Sequence, residues 1–317
     1  MDLSQLAVNI GLSAGKLAWP QRVEMSGVLP IAFRKSSALL LEDSFFDVCL
    51  EIEATNLIEC GAHDARASKR FLLTSGRRAL AVEANPYTFN EITMHASQNG
   101  VDVRNVGVGR HSCRAHVLLP KVAGTRTPVN ASFLQKPLLG PCEKVEVEIV
   151  TIDMLANELP QEARIVLWID VEGMAHDVLL GGSQLIADHR CRAIFVEVED
   201  VEMWEGQSLS SDVHDLLTTN GFTPVMRDAE YVGQYNVLYV RREMVTAVAE
   251  ISISYWALLS HVTLAKGKRG DFRTNVGSLK RFAVGSHESR FSRTVNRVAA
   301  VFGSKSSHQL IDKTDVL

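Results

Sequence analysis

Asn56-Leu57-Ile58-Glu59-Cys60-Gly61 is followed in the chain by Ala79-Leu80-Ala81-Val82-Glu83-Ala84-Asn85-Pro86. Each stretch is a short apolar run that ends on a carboxylate and then on turn-forming residues. Such runs, separated by helix-length segments, are the pattern of βα units on a parallel sheet. The rhythm extends outward from them. One helix is expected to stop near Gly76. Another should begin at Pro86, whose fixed φ suits a first helical turn, and end at Asn99-Gly100. A third apolar run covers residues 101–108. After an interruption the alternation resumes with a strand over 164–170, a short helix over 174–180, a strand over 192–199 and a helix over 209–220. Segments 222–227 and 235–241 can close the sheet as an antiparallel hairpin. The expected class is α/β and Rossmann-like, with about seven mostly parallel strands and an antiparallel C-terminal hairpin.

The core thus spans 45–242. Residues 111–150 form an insert, with strands expected over 116–119 and 145–150. The intervening loop holds Gly124, Pro128, Pro137, Gly140 and Pro141, and its length reads as a substrate-facing lid. Residues 1–44 read as a lead-in carrying a helix or hairpin. Residues 243–317 differ in composition. Segment 244–265 is apolar with Glu250 as its one charge, and 266–305 carries ten basic residues against Asp271 and Glu288, a net of +8.

The whole chain has 46% apolar residues, a net charge of −4 and a pI near 6.2. That balance fits a globular protein and gives no basic excess for nucleic acid. The five cysteines, Cys49, Cys60, Cys113, Cys142 and Cys191, form no Cys-x-x-Cys pair. They read as reduced thiols and a cytoplasmic location, with no secretory signal at Met1. Glu250 and several serines interrupt 244–265 as a membrane span. Segment 244–305 instead suits an ordinary packed helix or peripheral contact with the inner face of a membrane.

Open α/β sheets bind ligands beyond the carboxyl ends of their strands, where strand order reverses. Three polar clusters fall at such ends: 59–64, 83–85 and 170–173. Gly61 and Ala62 allow close backbone approach to a ligand, and His63 can line its pocket. Glu59 suits a cationic ligand group. Glu83 can accept both hydroxyls of a ribose, with Ala84 and Asn85 continuing its turn. Asn105 can meet the base side of a nucleoside. His63 and Arg66 occupy the later positions of a Gly-x-Gly-x-x-Gly pattern, which argues against a nicotinamide dinucleotide. Asp170 and Glu172 are the candidates for chemistry beside the reacting atom, the competing role being a helix N-cap. Ser132 and Glu197 are candidate substrate contacts. The acidic run Glu197, Glu199, Asp200, Glu202 and Glu205 reads as a strand end leading into a solvated acidic loop, and no metal ligand set is assigned.

Glu59-x-Gly-Ala-His-Asp64, Ala81-Val-Glu-Ala-Asn-Pro86, Ile169-Asp-Val-Glu-Gly173 with Leu179-Leu-Gly181, and Phe195-Val-Glu197 together resemble the ordered motifs of FkbM-type methyltransferases. The resemblance spans roughly 50–242. It implies a class I methyltransferase fold, S-adenosylmethionine as cofactor, and O-methylation of a sugar, glycolipid or polyketide-like natural product. Two departures stand out: His63 and Ala65 replace Asn and Gly, and Ala175 stands where a Glu is common. A pocket that binds a nucleotide without turnover is the alternative those departures leave open.

Overall fold

The computed structural model describes residues 12–13, 16–17, 31–122, 125–126, 130–137, 140–231 and 233–264. The basic stretch 266–305 lies outside them. The chain divides into two compact units, residues 1–249 and 250–317.

The first unit opens with a two-residue strand pair, β1 (Leu12–Ser13) with β2 (Lys16–Leu17), and helix α1 (Ile31–Glu51). Leu41, Phe45, Val48 and Ile52 recur at helical spacing and are buried. The helix therefore runs across residue 44, where the lead-in was expected to end. It stops at Glu53, whose φ of 52° lies in the left-handed region.

The sheet is built from β3 (Asn56–Cys60), β4 (Arg78–Val82), β5 (Asp102–Arg104), β10 (Ile165–Ile169), β11 (Cys191–Glu199), β12 (Phe222–Arg227) and β13 (Gln234–Arg241). Their order is β12-β13-β11-β10-β3-β4-β5. All neighbours are parallel except β13, which runs against both β11 and β12. Every residue of β3 and β10 is buried, as expected for central strands covered on both faces. Helices α2 (Arg66–Phe71), α3 (Pro86–Gln98), α4 (Ile152–Asn157), α5 (Ala175–Leu180), α6 (Ser183–Ala187) and α7 (Ser210–Thr219) make the crossovers. The strand order reverses between β3 and β10, which fixes where a ligand can bind.

The run 101–108 is not one strand. Its first part is β5 in the main sheet. Its end is β6 (Gly107–Val108), which joins a separate sheet with β7 (Cys113–Val122), β8 (Thr125–Arg126) and β9 (Cys142–Val150). The insert is thus an antiparallel ribbon, paired from Cys113↔Ile149 to Pro120↔Cys142. Val117, Leu119 and Val147 are buried and pack on Ala84, Ala131 and Phe133. The ribbon roofs the turn after β4.

Unit two contributes helix α8 (Ala249–Leu264), in which Tyr255 and Trp256 pack edge to face at 5.0 Å. Among the described residues no helix is long and apolar enough to cross a membrane. All five cysteines are free.

The closing hairpin is pinned by Arg241, which is 5% exposed. Its guanidinium donates to the carbonyls of Cys191 (3.0 Å), Asn220 (2.9 Å), Ile186 and Asp188. One residue thereby ties the end of α6, the end of α7 and the start of β11 to the closing hairpin. Arg241→Met keeps the stem and removes the donors. It is expected to cost about 3 kcal/mol of stability by urea unfolding, the scale of several buried acceptors left unpaired. A loss below about 1 kcal/mol would show that the hairpin closes without it.

Candidate active site

The three turns that the sequence singles out meet at the switch point. At the end of β3 the Asp170 N–H still donates to Cys60 O at 3.0 Å, so β3 and β10 remain paired to their last residues. Gly61 then turns away with φ 77°, and a Cβ there would lie 1.8 Å from the Asp170 carbonyl oxygen. Only glycine fits. His63 and Ala65 follow at φ 45° and 54°. Both are left-handed without being glycine, which costs about 1–2 kcal/mol at each position.

Glu83 ends β4 and is 8% exposed. Its carboxylate accepts from the His63 N–H and the Asn85 N–H, each at 2.8 Å. These bonds aim it across the turn after β3 and leave lone pairs on each oxygen. Burial, partly offset by those two N–H donors, holds its pKa above the usual carboxylate value. Asn85 caps α3 through Tyr87 N at 3.1 Å. Asn105 braces the same turn, donating to Glu83 O (2.8 Å) and Ala84 O (3.2 Å). It supports the ligand face from behind and does not line the cavity. Glu59 is buried on β3 and accepts from Ala67 N (3.3 Å) and Ser68 N (2.8 Å) at the start of α2. Burial lifts it to about 7. With Ala62, it borders an adjoining recess beside Gly61 and Asp170.

The principal cavity is lined by Gly61, His63, Glu83 and Ala84 on one side and Asp170 and Glu172 on the other. Val82, Val106, Phe133 and Met174 add apolar walls. Ser132 roofs it: its hydroxyl donates to Glu172 O at 2.7 Å and accepts from Leu134 N at 3.1 Å. The expected lid therefore sits on the Asp170–Gly173 turn. That turn takes φ 46° at Glu172 and 84° at Gly173, where a Cβ would strike the Trp204 ring at 2.9 Å. Helix α5 has Met174 at its N-cap with no side-chain cap bond, so neither Asp170 nor Glu172 is spent capping it.

Asp170 and Glu172 also line a second cavity, on the far side of the same turn. There Asp170 accepts a hydrogen bond from Glu197. Burial raises both carboxyl groups, and Asp170 is partly offset by Glu197, His63 and Arg66. Two buried carboxyl groups in contact favour sharing a proton over carrying two charges. Burial and the Asp170 charge lift Glu172 to about 7.

The structure corrects where the acidic run over 197–205 passes into solvent. Glu199 is 3% exposed and accepts from Gln207 (3.1 Å) and Gln234 (3.3 Å). Asp200 accepts from Tyr235 OH at 2.7 Å. Only Glu202 and Glu205 face water. The sequence reading missed the walls of the second cavity, Trp168, Asp228, Glu230, Gln234 and Asn236. A faint signal existed on β13, where Gln234 and Asn236 alternate with the buried Tyr235 and Val237.

A glycine cradle at a strand end, a fixed carboxylate at the next, and apolar walls beyond suit a nucleoside cofactor with a free ribose. The sheet order and this cleft define a Rossmann-like, class I methyltransferase fold. Residues 59–224 match the Methyltransferase FkbM domain, and the chain belongs to that family of S-adenosylmethionine-dependent methyltransferases. A "2-O-methyltransferase NoeI" of Sinorhizobium fredii is 33% identical over 73 residues. That match covers 23% of this chain and only 29% of the relative. Among solved structures, magnesium protoporphyrin IX methyltransferase of Synechocystis PCC 6803 with bound SAM is 10% identical. It covers 76% of this chain and 98% of its own, with a TM-score of 0.36. Ribosomal protein L11 methylase of Lactobacillus delbrueckii is 10% identical, covers 62% and 77%, and has a TM-score of 0.34.

Glu83→Ala is expected to weaken S-adenosylhomocysteine binding by at least about 1.5 kcal/mol, the scale of a hydrogen bond to a charged group. Calorimetry on both proteins measures it, with Glu83→Gln as the milder change. Equal affinity in all three would remove the ribose from Glu83.

Proposed function

We propose that this methyltransferase acts on oxygen, at a hydroxyl of a carbohydrate, a glycolipid or a related natural product. The observation that carries the reading is the position of Asp170. One carboxylate borders both cavities and is hydrogen-bonded to Glu197 in the second. A group so placed can take the proton of an acceptor hydroxyl at the point where the two ligands meet. The printed name of the partly matching relative, a 2-O-methyltransferase, agrees with transfer to oxygen.

S-adenosylmethionine supplies an activated methyl group on a sulfonium, so the protein has to position the acceptor and remove one proton. In this reading Glu83 holds the ribose hydroxyls, and Val82, Val106 and Phe133 enclose the base. Gly61, Ala62 and His63 present their backbone to the amino-acid end, with Glu59 fixing that turn. The acceptor oxygen would be held in line with that methyl group. Its proton passes to Asp170, while Glu197 keeps the other proton of the pair. Glu172, anchored through its carbonyl by Ser132, orients the acceptor. A polyketide-like acceptor is apolar over most of its surface, and it suits a cavity walled by carboxylates and amides less well than a sugar does.

A base must be ionised to act. Asp170 lies above the usual carboxylate range, so kcat/KM should fall as pH drops through that raised value. Asp170→Asn is expected to lower kcat by at least ~100-fold, the low end for general-base catalysis, while S-adenosylhomocysteine affinity changes less than about threefold. Retained kcat in the variant would remove Asp170 from proton transfer.

A lipid-linked acceptor would call for attachment at the inner face of a membrane through 244–305, which rests on the +8 net charge of 266–305. Co-sedimentation with anionic liposomes at low salt, weakened at moderate salt, is the expected result. No co-sedimentation at either salt would exclude that variant and leave a cytoplasmic enzyme with a free acceptor.

A further inference from the structure

The second cavity has a volume of about 510 Å³ and begins where the first ends, at Asp170 and Glu172. Helix α1 gives it Glu42, β11 gives it Glu197, and the β12–β13 hairpin gives it Asp228 and Glu230. Among the lining residues the one cation is Arg66, itself paired with Glu42, while Lys136, Lys35, Arg70 and Arg227 partly offset Glu172, Glu230, Glu42 and Asp228 from outside the lining. Carboxylates gathered in a recess are costly unless they are neutralised by protons or by a counter-charge. Burial lifts Glu172 and Glu230 to about 7 and raises Glu42, Asp170, Glu197 and Asp228 as well, so the charged form of each is disfavoured in the recess. Tyr231, at the same wall, is raised by burial and by Glu230.

Carboxyl groups alone do not specify an occupant, but the opposite wall adds a donor. Trp168 is 9% exposed and stacks on Phe195 with ring centroids 3.8 Å apart. It lines the cavity, and no hydrogen bond from its indole N–H to a protein acceptor is present among the described residues. An indole N–H is a donor only, so this one is available to a ligand oxygen. Gln234 and Asn236 line the same cavity, their amides donating to Glu197, Glu199 and Asp228. The cavity thus presents an aromatic surface with one donor for a ring or hydroxyl oxygen, and an acidic wall for positive charge.

We propose that the acceptor carries a protonated amine near the hydroxyl that is methylated, as in a sugar with a free amino group. The inference rests on the oxygen-directed reading above and narrows it. An ammonium meets the carboxylates and drives their protons out. A neutral or N-acylated sugar leaves the recess to the protons, and an acidic sugar is repelled.

The test uses the full chain with S-adenosylhomocysteine present and three matched probes: methyl glucosaminide, its N-acetyl counterpart and methyl glucoside. Calorimetry in two buffers of different ionisation heat reads affinity and proton release together. The glucosaminide is expected to bind at least about tenfold tighter than the other two and to release protons. Glu230→Gln should shrink that preference, and Trp168→Phe should weaken all three alike while keeping the stacked ring. Equal binding of the three, including binding of none, overturns the inference, as does tighter binding of either uncharged probe. Turnover with S-adenosylmethionine separates the two readings. Methyl transfer to oxygen without preference for the amine sinks this inference and leaves the oxygen assignment standing. Transfer to the glucosaminide nitrogen sinks the oxygen assignment and leaves the cationic acceptor standing.

Discussion

A Cβ on residue 61 would lie 1.8 Å from the Asp170 carbonyl, so the turn after β3 can touch the end of β10 only through a glycine. That backbone contact holds the two central strands together to their last residue before the chain parts in opposite directions. It opens the crevice and sets its floor. From it follow the position of His63, whose N–H anchors Glu83, and of Asp170, whose side chain is free to point past the turn. The ligand face is therefore organised by main chain first and by side chains second. This explains why two further residues of the same turn accept left-handed geometry without being glycine. Their strain is sustained by a carboxylate and a packed helix start on either side.

The turns were legible in the sequence because each combines an apolar run, an acid and a small residue, and that order of residue types has few other uses. The main sheet followed from the same alternation. The insert was less legible. Residues 101–108 look like one strand, yet the chain changes sheets within them at Asn105-Val106, just before Gly107. Asn105 holds that corner to the turn after β4 through two carbonyls, a role that only the assembled structure reveals.

The second cavity was not legible at all, for a physical reason. Its wall is drawn from α1, from β10 and β11, and from a hairpin further along the chain, so no short window of sequence holds two sides of it. The acidic residues of 197–205 looked like solvent-facing charge because composition cannot distinguish a wet loop from a hydrogen-bonded cluster. Glu199 and Asp200 are held by Gln207, Gln234 and Tyr235, which lie outside any local pattern. Register decided the matter: β11 and β13 pair Glu197 with Asn236 and Glu199 with Gln234.

The two cavities share Asp170 and Glu172 but little else. One is made by the turns after β3 and β4 and by the roofing ribbon, the other by a helix face and the closing hairpin. Descendants of this chain could therefore acquire new acceptors by editing Tyr231, Gln234 or Asn236, without disturbing how the nucleoside is gripped. The scaffold separates what is inherited from what can be retuned, and it confines their overlap to one turn and Asn130 of the insert.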